Sequence, residues 1–358
     1  MKKNNFNNIC YPIRKLQGFF SNGTNNIRSG LSVAVLIGLT GYFLTEIIHS
    51  SILDPLIVAL ILGIVIKSSI GDSKKLEPGI IFASSISIPV GIIFYGLQNL
   101  NFAKLTELES TMLFLLMVVM LVYFSVILLL GKLLGQKKQI TYLTASGSAI
   151  CGASAIAVTS PAIEADPDDV SISLLSVTVA AFVGFAIILP FVAALFDLTG
   201  KNYSFLSGTV LQFTGLVKVA EKYTPFLKKD VHASEMMSLA LSVKAVRYLA
   251  LLIAVPFFSS LIKKKLSAPW FLWAFLAAGL LGTWIYSTRG DTFHLTLAQY
   301  IQPVHTISWS IAMSAIGLNA DVRELFSNNG AKALIMAFAG FIAATLTFLA
   351  GLYIISCI

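Results

Sequence analysis

Charge is what this sequence has least of. Asp, Glu, Lys and Arg make up 12% of its 358 residues, where a soluble domain carries roughly 25%. So few charges do not cover a water-facing surface, which argues against a soluble enzyme. Cysteine is scarce too: Cys10, Cys151 and Cys357 are far apart and odd in number, so neither a disulfide framework nor a zinc site is indicated. Carboxylates are missing from the middle of the apolar runs. Glu46, Asp54 and Glu235 sit at their ends, and Glu164, Asp166, Asp168 and Asp169 fall between two of them. Membrane carboxylates are the usual relay groups of proton-driven pumps. The first 28 residues have no apolar core and cleavage site, so they read as a cytoplasmic segment and not as a signal peptide.

What is there is apolar. Hydrophobic residues are 56% of the chain, with 25 glycines and 25 phenylalanines, and the mean hydropathy is +0.84. That predicts an all-α polytopic membrane protein. A span needs about 20 mostly apolar residues. Eleven segments qualify: about 29–47, 53–66, 78–97, 111–131, 142–158, 171–196, 204–217, 236–259, 269–286, 298–318 and 333–356. The second, fifth and seventh are the weakest, being short or rich in Gly, Ser and Thr.

Net charge is +8, but the basic residues lie in short loops and not on one face of a domain, which excludes a nucleic-acid partner. With the amino terminus inside, 17 of the 25 basic residues fall on the cytoplasmic side. This follows the positive-inside rule and places the carboxyl terminus outside. The loop 218–230 fits less well, with four lysines on the outer side; a re-entrant seventh segment would relieve this. An odd span count fits one leading helix, 29–50, after the segment 1–28, then two inverted five-helix repeats, 51–200 and 201–358. ASAIAV (153–158) and MSAIGL (313–318) faintly support that pairing.

The densest local signal is ASGSAICGASAIAVTSPA, 145–162. Small residues permit close helix packing. They also suit a broken helix whose freed amides and hydroxyls face an anion near the membrane midplane. Ser148, Cys151, Gly152 and Ser154 are candidates there. Lys244 and Arg247 lie mid-span and share one helical face, and a charge at that depth normally faces protein or a water-filled cavity. With no carboxylate to pair them, a negatively charged solute is the economical partner, held by the arginine fork and the lysine point charge. A second broken helix is expected around the tenth span, with Ser314 as a ligand. His305, Gln212 and Thr214 are candidates for coupling or gating.

The run SGSAICGASAIAVTSPAIEA (146–165), with LEPGIIFA (76–83), LSVKAVRYL (241–249) and SAIGLNADVREL (314–325), resembles a family of bacterial membrane proteins named for sulfate export. The resemblance implies a fold akin to bile-acid and arsenite carriers and to sodium–proton antiporters, with broken helices crossing at the centre. It implies that Ser148, Cys151, Gly152 and Ser154 sit at one break, and that Lys244 and Arg247 are the family's basic pair. One departure is SGTVLQFTGLVKV (207–219), which lacks the His and Asp expected there and puts the coupling ion in question.

The expected function is therefore secondary transport of a small anion, sulfate or a sulfonate, across the bacterial cell membrane. A proton or sodium ion would couple it; no cofactor is implied, and a homo-oligomer is compatible. An anion channel and a non-transporting membrane scaffold or sensor are the alternatives. An enzyme ranks last, because no nucleophile–base or metal constellation assembles.

Overall fold

The computed structural model describes residues 24–48, 54–70, 75–100, 102–103, 108–198, 200–223, 233–264, 270–319, 323 and 326–357. Residues 1–23 of the amino-terminal segment, and Asp321, lie outside these. The described residues are helical almost throughout: α1 (Thr24–Ile48), α2 (Pro55–Ile70), α3 (Glu77–Asn99), α4 (Ser110–Leu133), α5 (Lys138–Ser146), α6 (Ala153–Ala162), α7 (Pro167–Val183), α8 (Leu189–Leu195), α9 (Gly200–Val210), α10 (Thr214–Tyr223), α11 (Ala233–Leu249), α12 (Leu251–Lys263), α13 (Trp270–Asn319) and α14 (Asn328–Cys357). Wide π-turns at Gly147–Cys151 and Gly184–Ile188 close α5 and join α7 to α8. Among the described residues, seven helices are long and apolar enough to cross a membrane. The protein is an all-α, multi-pass membrane protein.

The helices sort into two bundles. One holds α1, α2, α3 and α13; the other holds α4 to α12 with α14. Glycines let the first pack closely. A side chain at Gly63 would run into the Ser314 carbonyl, and one at Gly317 into that of Leu60, the close-approach packing that small residues permit between membrane helices. α13 is helical over 50 residues, and straight it would be about 75 Å long. Yet Gly282 packs on the Leu97 carbonyl while the His305 ring lies 5.8 Å from that of Tyr95. Residues 282 and 305 of a straight helix would be about 35 Å apart, so α13 bends sharply and lays two arms along α3. Those arms coincide with the expected ninth and tenth segments.

The eleven-crossing reading is corrected at its fifth and seventh segments. Lys137, just before α5, has its Nζ 2.8 Å from both Asp166 and Asp169, at the start of α7. Residues 138–162 therefore leave one end of the bundle and return to it. Gly147 on the outgoing arm faces Ile156 on the returning one, and Gly152, with φ 69° and ψ −126°, makes the reversal. Asp166 then starts α7 in a capping box with Asp169, followed by Pro167, a strong helix-start signal. The second hairpin is α9 and α10. Glu221 on α10 accepts hydrogen bonds of 2.6 Å from both Ser204 and Ser207 on α9, so this pair turns back at 211–213. A broken helix that crossed would hold these ends some 20 Å apart. The second interruption thus falls at 211–213 and not in the tenth segment, where α13 stays helical through Asn319.

These reversals move two loops. The acidic residues Glu164 and Asp166 join Lys137 and Lys263 at one end, Lys263 lying 3.3 Å from Glu164. Lys201 joins Glu109 at the other, 2.8 Å away.

Candidate functional site

A helix that stops inside the protein leaves its last carbonyls without intrahelical donors. Both hairpins stop this way, tip to tip, and α11 supplies the missing donors. Lys244 Nζ donates to the carbonyls of Ile150 (3.1 Å), Leu211 (2.6 Å) and Gln212 (2.6 Å). Arg247 donates from Nε to Ala149 (3.1 Å), from Nη1 to Gly208 (3.1 Å) and Leu211 (2.6 Å), and from Nη2 to Ser148 (3.1 Å). Both side chains are almost completely buried. Two full charges thus face the negative ends of two helix dipoles, the favourable arrangement for cations. The Val210 carbonyl takes the Tyr123 hydroxyl at 3.1 Å, and Tyr123 in turn accepts from Gln212 Nε2 at 3.1 Å.

The returning arms begin where the outgoing ones end, so α6 and α10 start side by side with their positive ends exposed to a cavity of about 250 Å³. The tips contribute Cys151, Ala153 and Ser154 from the first hairpin and Phe213, Thr214 and Gly215 from the second. The other bundle closes it with Asp54, Pro55 and Leu56 at the start of α2, and with Tyr95 and Gln98 late in α3. The second arm of α13 adds Gln302, His305, Thr306 and Trp309. The cavity thus lies between the two bundles. A polar chain ties its floor together: Thr214 bonds the Tyr248 hydroxyl at 2.7 Å, and Tyr95 bonds both Tyr248 and Ser154. Two polar atoms of the wall, Gln98 Oε1 and Trp309 Nε1, are buried with no partner among the described residues.

The sequence candidates divide on this geometry. Cys151, Ser154, Thr214 and His305 line the cavity. Ser154 donates to Cys151 Sγ at 2.9 Å, and His305 Nδ1 is 3.4 Å from the Ile301 carbonyl. Gly152 serves the reversal. Lys244 and Arg247 do not line the cavity; all three ammonium hydrogens and four of the five guanidinium hydrogens are on carbonyls, so they hold the tips. Ser148 gives its carbonyl to Arg247, its hydroxyl being buried without a partner among the described residues. The Gln212 side chain turns to Tyr123, away from the cavity. Ser314 bonds the Ala34 carbonyl at 2.6 Å, in the α1–α13 packing and remote from the tips. Tyr95, Gln98 and Trp309 were not read as site residues in the sequence, and Asp54 was read only as a carboxylate at the end of an apolar run. Only Asp54 carried a signal, as an Asp-Pro pair opening a helix. Among the described residues no three His, Cys, Asp or Glu side chains gather as metal ligands.

Comparison with known proteins places the chain in a family. Residues 29–337 match the family model described as Conserved hypothetical protein 698. A UPF0324 membrane protein of Staphylococcus epidermidis is 28% identical over 311 residues, 83% of this chain and 88% of its own. One from Bacillus cereus is 26% identical over 348 residues, 92% and 94% of the two chains. An archaeal one, from Archaeoglobus fulgidus, is 25% identical over 312 residues, 87% and 88%. No solved structure matches. With its model covering most of the chain and relatives aligned over nearly their whole length, the protein belongs to the Conserved hypothetical protein 698 family, the UPF0324 membrane proteins.

Proposed function

We propose that this protein is a secondary transporter of a small anion, working by alternating access. The observation that supports it is the start of α6 and α10 at one cavity. Each presents first-turn N–H groups that have no intrahelical acceptor and the positive end of a helix dipole, a ready anion site, with the Ser154 and Thr214 hydroxyls beside them. Lys244 and Arg247 add two positive charges behind the tips. Broken helices that aim their amino ends at a substrate are a recurring device of secondary transporters. The cavity lies between two bundles, so a displacement of one against the other would open it to alternate sides. The resemblance to the family named for sulfate export makes sulfate the first solute to try.

In this reading the chain makes nine crossings, with two hairpins entering from opposite faces. The amino terminus is cytoplasmic and the carboxyl terminus outside. Moving Lys201 to the outer side leaves 16 of 25 basic residues inside, so the positive-inside bias holds. The first hairpin followed by α7–α8 is then the inverted counterpart of the second hairpin followed by α11–α12. The proposal is tested by counterflow of labelled sulfate and sulfonates in proteoliposomes, with imposed pH or sodium gradients. Wild-type protein gives saturable exchange; Ser154→Ala and Thr214→Val raise the half-saturating concentration several-fold. Folded protein that exchanges no anion would overturn the reading.

A further inference from the structure

We infer that the solute taken by this cavity is a small zwitterion, an acid group joined by a short chain to an ammonium, and not a simple inorganic anion. The inference rests on the reading of the cavity as a solute site and names what fills it. The two sides of the cavity carry opposite chemistry. On the side of the tips are donors: the backbone N–H groups at the start of α6 and α10, with the Thr214 hydroxyl beside them. The α2–α3 side carries acceptors. Among the described residues of the wall, Asp54 is the one carboxylate. Its carboxylate accepts from the Leu56 N–H at 2.8 Å and from the Ile57 N–H as the cap of α2, and with about four lone-pair sites it keeps capacity for a further donor. Gln98 Oε1 is buried there without a donor among the described residues.

Sulfate has no group that satisfies these acceptors, and Asp54 repels it. An ammonium supplies three donors and a charge of the right sign. The Tyr95 and Trp309 rings, both in the wall, are surfaces on which a cationic group is favoured. Size agrees. About 250 Å³ is more than tenfold the ~10–15 Å³ that one water needs on the same measure. That is more room than a five-atom oxyanion fills, and enough for a few carbons between two charged ends.

The test uses matched pairs that differ only in the amino group: 3-aminopropanesulfonate with propanesulfonate, and β-alanine with propionate, with sulfate alongside. Exchange into proteoliposomes and ligand-induced thermal shifts are measured for wild type and Asp54→Asn. Asparagine caps a helix as well as aspartate does, so the variant keeps the fold and removes only the charge. The expected result is exchange of an amino compound at least tenfold more effectively than of its partner. In Asp54→Asn that preference is lost or reversed, at unchanged melting temperature. Wild type that prefers sulfate or the amino-free acids overturns the zwitterion and leaves the anion carrier standing. Unchanged selectivity in Asp54→Asn overturns it as well. So does a variant that keeps the selectivity but no longer responds to a pH gradient, which assigns Asp54 to coupling. Folded protein that binds and exchanges none of the probes overturns both readings.

Discussion

Lys244 and Arg247 donate to the same oxygen: Lys244 Nζ and Arg247 Nη1 each lie 2.6 Å from the Leu211 carbonyl. Two like charges three residues apart on one helix repel. They are held there because the carbonyl ends of both hairpins converge between them, and a buried carbonyl without a donor costs about 1–3 kcal/mol.

Arg247→Lys is therefore not a conservative change. An ammonium offers its donors from a single point and does not span the carbonyls of both tips as the fork does. At least one carbonyl of the set Ser148, Ala149 and Gly208 is left bare. Loss of about 2–3 kcal/mol is expected, read as a lower melting temperature in detergent together with loss of exchange. Thr214→Val, by contrast, impairs exchange at near wild-type stability.

Gly152→Ala strains the first tip. With φ at 69° and ψ at −126°, the backbone is in a region that costs a residue with a Cβ about 1–3 kcal/mol. The added carbon would also lie 2.7 Å from the Phe213 ring of the other tip. Lower thermal stability is expected, with exchange reduced more than in Ser154→Ala, because both tips shift.

The hairpins make a topological prediction. Single cysteines replacing Lys137 and Asp166, in a background lacking Cys10, Cys151 and Cys357, react with a membrane-impermeant maleimide from the same side. Cysteines replacing Glu109 and Lys201 react together from the opposite side. Reaction of Lys137→Cys and Asp166→Cys from different sides would restore a crossing fifth segment.

The Lys137 bridge carries a pH dependence. Burial alone would lower its pKa, but hydrogen bonds to and charges of Asp166 and Asp169 outweigh that and raise it above the ordinary lysine value. A raised pKa contributes stability that is complete below the unfolded lysine value, about 10.4, and is lost as pH rises through the folded one. Lys137 is 37% exposed, so screening keeps the contribution to about 1 kcal/mol or less. Thermal unfolding of wild type and Lys137→Met should differ by that amount at pH 7, the difference shrinking above about pH 10.

The sequence by itself determined the class of the molecule, because hydropathy and charge are local. Apolar runs such as Ser110–Leu133 are long and apolar enough to cross a membrane, and the bias of lysines gives an expected direction. It also exposed the crowding of small residues at 145–162 and the improbable depth of Lys244 and Arg247. Both features prove to be at the centre of the protein. Tertiary structure decided what they do there. Whether an interrupted helix crosses or turns back depends on which ends meet, and the Lys137–Asp166 and Ser204–Glu221 contacts join residues 29 and 17 positions apart. Whether a buried cation awaits a solute or completes the backbone depends on carbonyls that reach it from two other segments. Spacing along one helix carries neither, which is why the cavity moved from the cations to the amino ends of α6 and α10, and why Asp54 entered it only once α2 was packed against the tips.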